Sequence, residues 1–418
     1  MIEKILNKLL LIIIFILPLT IYPNYTTKLQ VLYFVGILLF TLLLVKFREW
    51  TFDKSDLILL GFLILVCIST IFSVNVKVSI FGYFNRYEGL LTFIIYYLVY
   101  YCSKYYFRNK KSIVIDICTL TMITSILSIL QYYNVPLIKK FFIHDSFACA
   151  TFGNRNFYGA FISLTFPIIM CLYIFKGKKL LLIPNALFFY SMLTSLTRSC
   201  YLSFIVFSTI GIIYLVKQKN KEYFKRFFIL LILFVILFTV FNCLSPNALI
   251  SRYKSSIEEI QSKDKLGSYR GYIWQIAIDI ICDHPLVGCG TDAFLCELTN
   301  NHTFELINII YDKIGGLPDK AHNEYLQIAA TLGVPALILY LIFVTLTIKN
   351  LLKNDLNKNK IAFVILLCII SYLVQAFFNI STIDVAPILY LIYGYSYQLK
   401  EYKKLPSTKK EKVLDWTN

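Results

Sequence analysis

Apolar residues fall in long runs separated by short, polar, lysine-bearing connections, and the runs have the length a helix needs to cross the hydrocarbon of a bilayer, roughly 20 residues. Twelve runs fit, at 8–22, 29–46, 56–73, 89–107, 112–133, 157–175, 179–197, 199–216, 224–243, 331–349, 361–378 and 382–398. The first follows Lys4 and Lys8 as a signal sequence would. It lacks a small-residue cleavage site and precedes further spans, so it is expected to remain as the first helix. One connection breaks the pattern: the 78 residues from Leu244 to Ala321 contain no spanning run. Connections longer than about 12–15 residues are usually functional or disordered. Here Tyr272, Ile273, Ile276, Ala277 and Ile280 recur at helical spacing, which predicts a folded helical cap. The pattern as a whole predicts an all-α polytopic membrane protein of about 12 transmembrane helices, with the cap between spans 9 and 10. Spans 1–9 would occupy 1–243, the cap 244–321, spans 10–12 residues 322–400, and a basic tail 401–418. No internal repeat and no linker to a second domain is visible.

Composition agrees with a membrane class. The 418 residues are 58% apolar, 17% aromatic and 16% charged, with a mean hydropathy of +0.68. Soluble domains sit near about 45–50% apolar and about 25% charged, so a soluble enzyme, a disordered chain and a coiled coil are excluded. The net charge of +17 would suggest nucleic acid in a soluble protein. Here basic loops that hold helices in their topology account for it, and no nucleic-acid partner is expected. Alternate connections (Lys4/Lys8, Lys46 to Lys54, Lys104 to Lys111, Lys176 to Lys179, Lys217 to Arg226, Lys349 to Lys360 and Lys400 to Lys412) carry 27 of the 41 Lys and Arg, against 14 elsewhere. The asymmetry predicts a multi-pass protein of the cell membrane with both termini cytoplasmic and the cap outside. The 11 cysteines contain no C-x-x-C pair, so no zinc signature is present. A disulfide among Cys282, Cys289 and Cys296 stays open.

All four histidines (His144, His284, His302, His322) then fall on the extracytoplasmic side, together with Arg86, Arg155, Arg198, Arg252 and Arg270. Ionisable groups at membrane depth are expensive and mark functional sites by default. Arg198 separates two apolar runs with almost no loop, and a snorkelling interfacial arginine is its plainer reading. Four strings are too polar and too glycine-bearing for loop filler: Gly82-Tyr83-Phe84-Asn85-Arg86-Tyr87-Glu88-Gly89; Thr151-Phe152-Gly153-Asn154-Arg155-Asn156-Phe157; Tyr269-Arg270-Gly271-Tyr272-Ile273-Trp274 with His284-Pro285-Leu286-Val287-Gly288-Cys289-Gly290; and Ala321-His322-Asn323-Glu324-Tyr325-Leu326. Arg86 and Glu88 either pair with each other or Arg86 contacts substrate. Asn154, Arg155 and Asn156 either cap a helix or hydrogen-bond a sugar or phosphate. Trp274 lies one turn after Arg270 on the same helix face.

In their order and spacing, with T-R-S between two spans, these strings resemble the O-antigen ligase and polymerase superfamily of bacterial glycan assembly. The resemblance is densest from about residue 150 to 335. It implies a multi-span (GT-C-like) glycosyltransferase that passes a glycan from a polyprenyl pyrophosphate carrier to a hydroxyl on a lipid core, another glycan or a protein, without metal or other cofactor. The catalytic positions it implies are Arg198, Arg270 and His322, with Arg86, Asn154, Arg155, Asn156, Trp274 and Asn323 around the substrate.

The chemistry of the residue types points the same way. A departing pyrophosphate gains negative charge, which needs a fixed counter-charge at that place. Arginine supplies one as a permanently charged bidentate fork. A hydroxyl is a poor nucleophile until a base takes its proton, and a histidine can do so near neutrality. The first external loop, Pro23 to Lys28, has no Asp or Glu, and no D-x-D occurs, which favours positive charge over a metal. Ligation is the favoured reading, with glycan polymerisation or protein O-glycosylation as alternatives. A twelve-span transporter or flippase is the rival from another class.

Overall fold

The computed structural model describes residues 2–20, 25–107, 110–136, 148–261, 269–301, 311 and 315–401. Among the described residues the protein is all-helical, with seventeen α-helices and no strand. The first five are α1 (Ile2–Leu19), α2 (Tyr25–Val45), α3 (Lys54–Ile71), the short α4 (Val76–Phe81) and α5 (Leu90–Tyr106). They are followed by α6 (Lys110–Tyr132), α7 (Arg155–Lys176), α8 (Leu182–Ser195), α9 (Arg198–Gln218) and α10 (Lys221–Leu244). The described part of the cap segment holds α11 (Ala248–Gln261), α12 (Arg270–Asp283) and α13 (Phe294–Asn301). The chain continues through α14 (Glu324–Leu332), α15 (Val334–Leu352), α16 (Lys360–Ala376) and α17 (Ala386–Glu401). Cap residues 262–268 and 302–310, the tail beyond Glu401, and His144 and His302 lie outside the described residues.

Each of the twelve apolar runs falls on a helix. Seven of these (α2, α3, α6, α7, α9, α10 and α15) are long and apolar enough to cross a membrane. The other five runs fall on α1, α5, α8, α16 and α17, which are 14–18 residues long. The run expected from residue 331 starts later, because the chain breaks at Gly333. There α14 ends with φ +86°, and Pro335 opens α15, where a missing N–H is harmless. A Cβ at Gly333 would lie 2.3 Å from the Leu286 carbonyl oxygen, so only glycine fits this corner.

Two groups of helices pack side by side. In one, α5 packs against α17, α2 and α3, and α15 against α3 and α17. In the other, α7 is surrounded by α8, α9, α10 and α16, with α6 against α8. α7 is apolar on every face and its whole span is buried, as expected of a central helix. α10 buries little of its surface (17% of its span), which leaves most of its apolar side chains for lipid.

Polar side chains concentrate at the two ends of this bundle. At one end Lys104 meets Asp56 and Asp53, each at 2.7 Å, and Arg226 caps the end of α7 by donating to the Ile174 and Phe175 carbonyls. At the other end Lys28, at the start of α2, meets Asp384, just before α17, at 2.7 Å, both side chains fully buried. Lys28 also donates to the Thr151 carbonyl at 3.0 Å, which fixes the loop leading into α7. Breaking a buried pair by removing one partner typically costs about 3–5 kcal/mol, because the other charge stays buried. Lys28→Met should therefore lower the melting temperature of the detergent-solubilised protein sharply, and Lys28→Met with Asp384→Leu should recover most of the loss.

Candidate active site

The end of the bundle that carries Lys28 and Asp384 also gathers the glycine-bearing strings. The Cys289 N–H donates to the Ala330 carbonyl at 2.9 Å and the Gly290 N–H to Thr331 at 3.0 Å, while the Val334 N–H donates to Pro285. The last carbonyls of a helix have no partner within it, so His284–Gly290 serves as the cap of α14. A Cβ at Gly288 would lie 2.2 Å from the Thr331 carbonyl carbon, which accounts for that glycine. His284 meets Glu297 at 2.9 Å and so joins the end of α12 to α13. Cys282, Cys289 and Cys296 are free thiols.

The segment before α14 is held on both flanks by charge. Asp319 accepts from Arg86 Nε at 2.5 Å. Lys320, buried, meets Glu88 at 2.6 Å and Asp292 at 3.0 Å. Burial works against the Lys320 charge, but Asp292 and Glu88 outweigh it and hold the ammonium above its ordinary range. Asp292 in turn accepts from the Tyr83 and Glu88 backbone N–H groups at 2.7 and 3.1 Å, so one carboxylate holds the loop that presents Arg86. Arg86 and Glu88 do not pair with each other: each takes a partner more than 200 residues away. Beyond His322, the carboxylate of Glu324 accepts from Tyr340 at 3.0 Å and Tyr372 at 2.8 Å. A cavity of about 40 Å³ lies among Glu88, Asp292, Lys320, Glu324, Thr291 and Tyr340, room for about two or three waters.

His322 lies between these anchors, half-buried, in a left-handed conformation with φ +49°. Its Nδ1 is buried without a hydrogen-bond partner. Burial lowers its pKa to about 4; Asp319 pulls the other way, and the charges of Arg270, Arg86 and Lys320 add to the lowering. The imidazole is thus neutral at physiological pH, with a ring nitrogen available to accept a proton.

Arg86 and Arg270 both lie within electrostatic reach of His322. Arg270 is the first residue of α12, behind Tyr269 in the left-handed region. Arg86 also lies over the Phe157 ring at 5.2 Å, which ties it to the first turn of α7. Arg155 opens α7 and Arg198 opens α9, and the two helix starts are joined by Thr197 Oγ1 donating to the Arg155 carbonyl at 3.1 Å. Backbone N–H groups at such helix starts favour anions. Asn154 caps α7 through the Asn156 N–H at 2.8 Å, and Asn323 caps α14 through the Tyr325 and Leu326 N–H groups. The Asn156 carbonyl accepts from Asn379 at 2.8 Å and Gln375 at 3.3 Å. Trp274 packs edge-on against Phe377, ring centroids 5.6 Å apart, and its buried Nε1 has no hydrogen-bond partner.

Residues 183–341 match the family model described as O-antigen ligase. That stretch contains Arg198, Arg270, Trp274, Lys320, His322, Asn323 and Glu324. A "Putative polysaccharide ligase" of Rickettsia felis is 28% identical over 218 residues, 51% of this chain and 50% of that protein. One of Rickettsia typhi is 25% identical over 308 residues, covering 71% of this chain and 68% of the relative. One of Rickettsia conorii is 27% identical over 255 residues, 60% and 56% respectively. These similarities support the O-antigen ligase superfamily. The alignments span about half the length of the Rickettsia felis and Rickettsia conorii relatives and two thirds of the Rickettsia typhi one.

The superfamily resemblance pointed to arginines and a histidine; the charges that hold them, Asp319, Lys320, Asp292 and Glu324, went unread. Asp319 and Lys320 stand three and two residues before His322, and adjacent opposite charges near a motif histidine were the available signal. Burial first, then the Glu88 charge, raises the Glu324 carboxyl to about 7 against the opposing hydroxyls of Tyr372 and Tyr340. A carboxyl whose folded pKa exceeds its unfolded value near 4.5 costs stability as pH rises between those two values. Glu324→Gln keeps an acceptor oxygen for one tyrosine and turns an N–H donor toward the hydroxyl oxygen of the other. Its melting temperature should exceed the wild-type value at pH 8, and the gain should vanish near pH 4; a gain independent of pH would contradict the assignment.

Proposed function

We propose that the protein is a ligase-type membrane glycosyltransferase that moves a glycan from a polyprenyl pyrophosphate carrier to a hydroxyl acceptor on the extracytoplasmic face. The observation that carries this reading is His322: neutral, with an unpartnered Nδ1, and within the electrostatic reach of Arg270 and Arg86. The imidazole takes the acceptor's proton as its oxygen attacks the anomeric carbon. The bond from that carbon to the phosphate oxygen breaks on the opposite side, with inversion, and the pyrophosphate leaves with the electron pair. Arg270, with Arg86 and Arg198, meets the charge that develops on the leaving group. The similarity to polysaccharide ligases and the segregation of basic loops support the reaction class and the side of the membrane. Ligation to a lipid core is favoured by the resemblance of the H-N-x-Y-L and H-P-L-x-G-x-G strings, ahead of polymerisation and of transfer to protein.

The deciding experiment profiles glycans in a deletion strain complemented with wild type or His322→Ala, comparing carrier-linked with finished surface glycan. Long carrier-linked chains accumulating in both the deletion and the mutant are expected. Accumulation of single repeat units would mean polymerisation, repeat units retained on the cytoplasmic face would mean transport, and a wild-type profile from His322→Ala would remove the base.

Three outcomes follow for the isolated enzyme. Arg270→Lys should lose on the order of 10²-fold in turnover, since a point charge replaces a bidentate fork, and activity should survive EDTA. With the His322 pKa near 4, transfer in the absence of saturating donor should show no acid limb between pH 5.5 and 7.5. A limb centred near 6.5 in kcat/KM would overturn the depressed base.

A further inference from the structure

A left-handed backbone at a non-glycine residue costs about 1–3 kcal/mol and persists only where its surroundings over-determine it. At His322 the backbone is fixed from both sides. Downstream, Asn323 caps α14 and Glu324 is held by Tyr340 and Tyr372. Upstream, the Ala321 N–H donates to Gln327 Oε1 at 2.7 Å, and the next fixed point is Lys320. Of these other contacts, Glu324 ties α14 to α15 and α16 through Tyr340 and Tyr372, and Asp319 meets Arg86 at the rim. Lys320 is the buried charge that reaches through the interior to the loop before α5 and the turn before α13.

We infer that Lys320 is a positioning residue for His322, tying the loop of the histidine to the loop of Arg86. The inference rests on the proposed reading of His322 as the base. Lys320 does not serve the substrate itself: its side chain is 3% exposed, and its ammonium is committed to Glu88 and Asp292. Asp292 also accepts from the Tyr83 and Glu88 N–H groups, on either side of Arg86. One buried ammonium therefore sets the loop of the arginine and, two residues along its own chain, the turn that carries His322. An apolar residue of similar volume would fill the space and leave two carboxylates buried without a cation, so the charge is required and not merely the bulk.

The test uses the full chain in detergent, as wild type, as Lys320→Met, and as Lys320→Met combined with Glu88→Gln, which removes the ammonium without leaving Glu88 charged. Diethyl pyrocarbonate acylates neutral imidazole, and peptide mass spectrometry follows His322 and His284 in the same sample. In both variants the His322 rate should change by about fivefold or more and its pH midpoint should move from about 4 toward the ordinary value near 6.5, with His284 unaltered. Turnover of carrier-linked glycan extracted from the deletion strain should fall on the order of 10²-fold, as for a displaced catalytic group, with KM nearly unchanged. Wild-type labelling and wild-type kcat in both variants would overturn the inference. So would equal acceleration at His284 and His322 in both, which would assign Lys320 to general stability. If His322→Ala itself transfers glycan normally, the base assignment fails, and the labelling profile still decides whether Lys320 sets the ring.

Discussion

An ammonium or carboxylate taken out of water must be met where it lies, because the desolvation penalty is several kcal/mol for each ion and nothing nearby repays it except an opposite charge in good geometry. The site end of this bundle is organised around two such places. Lys28 meets Asp384 and the Thr151 carbonyl, which brings the start of α2, the loop before α7 and the approach to α17 to one point. Lys320 meets Glu88 and Asp292, which does the same for the segments before α5, α13 and α14. Apolar helices gain little from each other in lipid, whose tails are as apolar as leucine. The polar cross-links at the ends then set which helix starts lie together, and the arginines and histidine ride on those starts.

The same physics explains what was legible in the sequence. Length and apolarity are local properties, so each of the twelve apolar runs falls on a helix. The break at Gly333 was missed because the run is continuous in composition; what ends α14 there is the approach of the Leu286 carbonyl from another segment. Arg198, Arg270 and His322 were singled out by their strings, but Lys320 reaches Glu88 across 232 residues and Arg86 reaches Asp319 across 233. No periodicity encodes a pairing at that separation. Local reading also left Asn154 open between cap and ligand, and the structure shows the cap. The His284–Gly290 string had no evident task until α14 was in place to be capped.

Neutral histidine among cations poses a problem for a general base, since proton transfer is most effective when the base titrates near the operating pH. With a pKa near 4, His322 is always in its accepting form but holds a proton weakly. The causes of the depression indicate how the weakness is relieved under the proposed reaction. Two of them are the charges of Arg270 and Arg86, the groups assigned to the pyrophosphate. A dianionic donor placed against those guanidinium groups offsets their field at the imidazole and raises its pKa. Under the proposed reaction the base would gain strength when the donor is seated. That coupling follows from the placement of like charges around one histidine. Lys320 adds to the same lowering, but its ammonium is committed to Glu88 and Asp292, so under the proposed reaction the charges that a donor can offset are those of the arginines.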